Sequence, residues 1–199
     1  TRSRAVGGAY AADADGLQGG LTNPASLSRL QSHQFSVEHQ RWNKQWDLFN
    51  AGIAVPLYGG HSLAIQGTWL DYGELEPESD TELFRPQGNE FKGGLSYSYR
   101  MTENSALGVT GGVMTSEIGF RDREYSTYVD LGYIHRLPHD LWFGASIKNA
   151  VGELTGDNGP DKLPRQSRAG LSWSLWQNRI SMTADAVYHE PGDNTAEQD

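Results

Sequence analysis

The chain of 199 residues contains no cysteine. Disulfide scaffolds, Cys-ligated zinc sites and thiol catalysis are therefore excluded. Basic residues are in the minority, with Lys+Arg 16 against Asp+Glu 25 and a net charge of −9. A nucleic-acid coat needs a basic face to displace counterions, so no nucleic-acid partner is expected. Mean hydropathy is −0.60, and no apolar run approaches the 18 or more residues of a spanning helix. That excludes a helical membrane protein but not a membrane barrel, whose strands are apolar on one face only. What is abundant is glycine, at 24 residues, and aromatic side chains, at 11%, too many for a disordered acidic chain.

From Gln34 onward the dominant pattern has period two, the signature of half-buried strands. In Phe49-Ala51-Ile53-Val55-Leu57 the odd positions are apolar, and Leu63, Ile65, Gly67 and Trp69 continue the pattern. Phe91, Gly93, Leu95, Tyr97 and Tyr99 alternate with Lys92, Gly94, Ser96, Ser98 and Arg100. Further runs centre on Val109, Val129, Ala145, Leu171 and Met182, and a weaker one covers Phe35 to Trp42. Nine strands of about ten residues are expected, longer than the usual five or six and matched to a tilted membrane crossing of about 9–11. Short connections alternate with long ones at Gly73–Gly88, Ser116–Asp122 and Val151–Pro164. Short turns on one rim and long loops on the other suit an outer-membrane barrel. Trp42, Trp46, Trp69, Tyr99, Trp142, Trp173 and Trp176 stand near strand ends, where amphipathic rings would meet the two membrane interfaces. Alternation alone also fits a soluble sandwich, in which the same residues fill a core.

The polar strand faces carry charges of both signs: Lys92, Arg100, Glu124, Asp130, Lys148, Arg168 and Asp185. In a barrel these face the lumen and can tie an inner segment to the wall. Residues 1–33 do not alternate and are rich in small side chains, as a segment packed inside a barrel would be. Within it, Asn23-Pro24 reads as the capped start of a short helix, with Pro24 in its first position.

This same stretch carries a family resemblance. Gly7-Gly8-Ala9-Tyr10, then Ala12-Asp13-Ala14, then Asn23-Pro24-Ala25-Ser26-Leu27 resembles the opening of FadL-like outer-membrane proteins, and within them the PorV/PorQ group linked to type IX secretion. Gly144 to Gly152 with Lys148-Asn149, followed by Leu163-Pro164 and Arg168-Ala169-Gly170-Leu171, is similar to that group's "K-N-x-G … L-P … R-x-G-L" block. Leu70-Asp71-Tyr72-Gly73-Glu74 is similar to its "LDYG" strand end. Ala150-Val151 lengthens the usual N-x-G spacing by one residue, and Ser26 stands for the glycine of "NPAGL".

The resemblance implies an all-β, antiparallel transmembrane barrel of FadL type. Residues 1–33 would form a plug or hatch including Gly7, Gly8, Asp13, Asn23, Pro24 and Ala25, residues 34–188 the strands, and residues 189–199 an acidic tail or loop. It implies about fourteen strands, of which this chain would supply nine; single-chain bacterial barrels close on even numbers. It implies a place in the bacterial outer membrane, in contact with its lipid, and a non-enzymatic role in protein export or surface attachment beside a secretion translocon or its surface-protein cargo. A FadL-like channel with a hydrophobic ligand in the lumen is the alternative, and a soluble all-β binding module is a third reading.

Catalytic chemistry has no visible carrier. His33, His39, His61, His135, His139 and His189 have no zinc-ligand spacing. Asp13-Ala14-Asp15-Gly16 and Gly156–Asp161 lack the ligand set of a calcium loop. Gly144-Ala145-Ser146-Ile147-Lys148 only approaches a nucleophile elbow and lies within a strand. Glu74-Leu75-Glu76-Pro77-Glu78-Ser79-Asp80 reads as a solvated acidic loop. No metal, cofactor or enzymatic activity is expected.

Overall fold

The structure is a computed structural model and describes residues 10–42, 46–74, 87–118, 124–156, 159–175 and 180–190. A short helix α1 (Gly16–Gly20) and a 3-10 turn (Pro24–Arg29) precede the strands. These are β1 (Gln34–Trp42), β2 (Trp46–Pro56), β3 (His61–Glu74), β4 (Gln87–Arg100) and β5 (Ser105–Ile118). They continue with β6 (Glu124–Leu137), β7 (Leu141–Gly156), β8 (Gly159–Lys162), β9 (Arg165–Leu175) and β10 (Ile180–Glu190). All strands pair antiparallel in one sheet of order β1-β2-β3-β4-β5-β6-β7-β9-β10, with β8 attached to β7.

The all-β antiparallel architecture follows the period-two pattern, and three details differ from the sequence reading. The described residues form ten strands, because β8 forms within the stretch 151–164 read as a loop. β3 to β6 have 14 residues each and β7 has 16, so the ladders run well into the expected long connections. His189 and Glu190 belong to β10 and not to a tail. Among the described residues β1 and β10 pair with no further strand on their outer sides, so the sheet is open there.

Alternation gives the sheet two unlike faces, and they are inverted relative to a water-soluble protein. The small and polar face is the buried one: Ala54, Ala64, Ser96 and Ser98 are no more than 2% exposed. The apolar face is the open one: Ile65 is 61% exposed, Leu95 54%, Val113 50% and Ile53 48%. What buries the polar face is residues 10–30. Leu17, Leu27 and Leu30 pack on Ala54 and Ala64 of β2 and β3, and Ala25 packs on Ala106 and Ile134 of β5 and β6, with Trp142 alongside. Each of these leucines contributes about 1.5–3 kcal/mol through burial. Small sheet residues beneath them leave the room they need.

Candidate functional site

Residues 10–30 cross the small-residue face from one edge strand to the other. At the β10 end, the backbone N–H groups of Tyr10 and Ala11 donate to Asp185 Oδ2 at 2.8 and 2.9 Å, and Arg168 pairs with the same oxygen at 3.3 Å. Ser172 of β9 donates to Asp13 at 3.4 Å. Asn23 sits at the centre, fully buried. Its Oδ1 accepts the Ala25 N–H at 3.1 Å, capping the 3-10 turn that Pro24 begins. Its Nδ2 donates to the carbonyls of Ala11 at 3.0 Å and Tyr133 at 3.1 Å, so a single amide joins the two halves of the segment to β6. Further along, Arg100 of β4 donates to the Ser28 carbonyl and Gln66 of β3 to that of Leu17. The Leu17 N–H donates to Gln34 at 2.8 Å, and Gln18 donates to Ser36 at 3.0 Å, both on β1.

The sequence reading missed the bed on which this segment lies. A Cβ on Gly108 would overlap the backbone of Pro24 and Ala25, one on Gly132 would overlap Asn23, and one on Gly144 would overlap the Ala11 carbonyl. Gly108 and Gly132 face each other across β5 and β6. Bare backbone is required wherever main chain rests on main chain. The signal was available as glycines at even positions of three successive strands, but each read locally as a weak strand residue.

The motif residues meet in space. Asn149 adopts a left-handed conformation (φ 53°) in a bulge of β7 that interrupts its pairing with β6 between Val129 and Leu131. Asn tolerates this region better than most residues. Its N–H donates to Asp130 at 2.8 Å, and its side chain donates to the Pro164 carbonyl at 2.8 Å. The Leu163 N–H donates to Gly152 at 3.3 Å. The K-N and L-P stretches are thus one bulge and its brace, and the bulge sets Lys148 and Asp130 on the same chamber wall.

That chamber lies beside the N-terminal segment and has a volume of about 320 Å³. Lys92, Asp130, Lys148 and Glu90 supply its charges, and Leu48, Leu70 and Met114 part of its apolar wall. The Lys92 ammonium stands over the Tyr128 ring, 3.9 Å from its centroid. Arg100, Arg168 and Asp185 hold the N-terminal segment instead. Glu124, half-buried at the start of β6, does not line the chamber.

On the opposite face the register aligns side chains of one kind in rows. His39, Phe49, Trp69, Phe91, Thr115 and Tyr125 are successive neighbours across six strands. The next outward row toward the long loops is Arg41, Asp47, Asp71, Asn89 and Glu117. In the other direction lie Phe35, Ile53, Ile65 and Leu95, and at the short-turn end His61, Tyr99, Leu107 and Tyr133. The rings of His61 and Tyr99 stack at 4.6 Å. From Trp69 to His61 is about 26 Å along the strand at about 3.3 Å per residue.

Trp69 and Tyr99 stand on this outer face, as does Trp173, whose indole N–H donates to the His139 carbonyl at 3.0 Å. Two of the expected interface aromatics do not. Trp142 occupies an even position and turns to the inner face, where the Arg29 guanidinium lies 4.3 Å from its ring centroid. Trp46 likewise falls on the side of Leu48 and meets Tyr72 edge-on at 5.4 Å. Nearness to a strand end was the signal used for both, and it ignores the parity that decides the face. Gly7, Gly8, Trp176 and the side chain of Trp42 lie outside the described residues. Among the described residues no group of three or more His, Asp or Glu side chains is placed to hold a metal ion. Comparison with protein-family models, with curated proteins and with solved structures finds no match.

Proposed function

We propose that this chain is the wall and inner plug of an outer-membrane β-barrel of PorV/PorQ type, with no catalytic task, serving protein export or surface attachment. The observation that carries the membrane reading is the inverted sheet. An aliphatic face bounded by rows of aromatic rings, with a charged row directly beyond one of them, matches the outer surface of a barrel in lipid. In water such a contiguous apolar surface would be a large unfavourable patch. β1 and β10 run in the same direction, because eight antiparallel steps lead from one to the other along the sheet. An antiparallel barrel therefore needs an odd number of further strands between them, and those strands also satisfy the edge groups that lipid would leave unpaired. The PorV/PorQ assignment rests on the resemblance of the N-terminal, K-N and L-P stretches. It is supported by the contacts between those stretches: Asn149 donates to the Pro164 carbonyl, and the Ala11 carbonyl rests against Gly144. The charged outer row then belongs to the long-loop rim, where a translocon or a cargo protein would dock.

The chamber beside the plug favours a second reading, a FadL-like channel for hydrophobic compounds, because Leu48, Leu70 and Met114 line it.

Membrane fractionation followed by gel migration of unheated and heated samples tests the proposal. A band in the outer-membrane fraction that migrates faster unheated is the expected result. A protein that stays monomeric in buffer without detergent, with the same β content, would sink it.

A further inference from the structure

We infer that the inner chamber is an anion-binding site that takes a small organic phosphate or carboxylate, with its charged end between Lys92 and Lys148. Both lysines line the 320 Å³ chamber. Among the described residues neither ammonium makes a direct ion pair or hydrogen bond; Lys92 stands over the face of Tyr128, and Asp130 acts on both lysines from further off. The two carboxylates on the same wall are engaged elsewhere. Asp130 accepts the Asn149 N–H at the bulge, and Glu90 is hydrogen-bonded to the Tyr72 hydroxyl. The two arginines of this face, Arg168 and Arg100, bond Asp185 and the Ser28 carbonyl.

Two ammonium groups withdrawn from bulk water, each acted on by Asp130 but directly paired with no carboxylate, are costly to bury, and a bound anion lowers that cost. Lys148 owes its position to the Asn149 bulge, which turns the strand at that residue, so the cation is placed by a dedicated backbone feature. The adjoining Leu48, Leu70 and Met114 give the non-polar part of a ligand a surface to lie on. The volume sits at the lower end of the range for small-molecule sites. None of this depends on what covers the outer face of the sheet.

Calorimetric titration of the full chain in detergent with phenyl phosphate and with inorganic phosphate tests the inference. Phenyl phosphate should bind, and Lys148→Met and Lys92→Met should each weaken it about tenfold or more, the scale of losing one charge-assisted contact. Lys148→Arg should retain most of the affinity. Asp130→Asn, which keeps an oxygen for the Asn149 N–H, should tighten binding severalfold by removing the competing negative charge. Tighter binding of phenyl phosphate than of inorganic phosphate assigns the apolar wall to the ligand. Equal binding assigns the site to a free anion, and both results support it. Absence of binding by either probe at millimolar concentration would overturn the inference, as would unchanged affinity in Lys148→Met or weaker binding in Asp130→Asn. Because these outcomes are read in detergent on the inner face, they leave the membrane reading to its own test.

Discussion

A single amide shows how much of this fold rests on individual groups. Asn23 caps a turn, ties Ala11 to Pro24 and bonds a strand carbonyl, all while fully buried. Asn23→Ala removes the acceptor of the Ala25 N–H and the side-chain donor to the Ala11 and Tyr133 carbonyls. Chemical unfolding in detergent should show a loss of about 1–3 kcal/mol. Gly132→Val, on the strand below it, forces a side chain into the space of Asn23. Overpacking of this kind costs about 1–3 kcal/mol, so the same assay should find Gly132→Val as damaging as Asn23→Ala. The two losses should fall short of additive when combined, since either one already displaces the turn. The cap was legible in the dipeptide Asn23-Pro24, because capping is a local affair. The fit of Gly132 was not, since it depends on a partner more than a hundred residues away in sequence.

At the scale of elements, the N-terminal segment is a strap whose two ends are fastened differently. The β1 end is held by side-chain amides and by leucines packed on alanines. At the β10 end Asp185 gathers two backbone N–H groups and Arg168, beside the Ser172–Asp13 hydrogen bond. Asp185→Ala should release that end alone. Limited proteolysis is expected to cut near Tyr10 in the variant and not in the parent, while far-ultraviolet circular dichroism stays unchanged. If the strap remains protected, the carboxylate is not its fastening. Nine of the ten described strands were readable from their alternation, from Leu95-Ser96-Tyr97-Ser98-Tyr99 most plainly. β8 was not, because Gly159-Pro160-Asp161-Lys162 has turn composition and is a strand only through its pairing with β7.

For the whole molecule the decisive property is which face is dry. Trp69 and Trp173 are half-exposed on the outer face, whereas Trp142 packs inward on Arg29 and Ala25. Single-tryptophan variants reconstituted in vesicles containing brominated lipids should therefore divide cleanly. Emission from Trp69 and Trp173 should be quenched strongly, and emission from Trp142 hardly at all. Equal quenching of all three would mean that the outer face is not the lipid face. The amphipathic alternation of the strands was visible in the sequence, but it left open which face meets water. What the sequence did not show is that residues 10–30 cover the polar side.

The hydrogen bond between Tyr10 and Asp185 spans 175 residues of chain. Its consequence lies in time. The strap is synthesised before the strands it crosses, yet its fastening to Asp185 cannot form until β10 has joined the sheet. Hairpins such as β2–β3 and β4–β5 close over short loops, while the strap closes the longest loop in the described chain and meets the full entropic cost of doing so. Assembly dominated by such distant contacts is slow. The topology thus favours an order of events: hairpins first, sheet next, and the strap, made before the strands, locked in at the end.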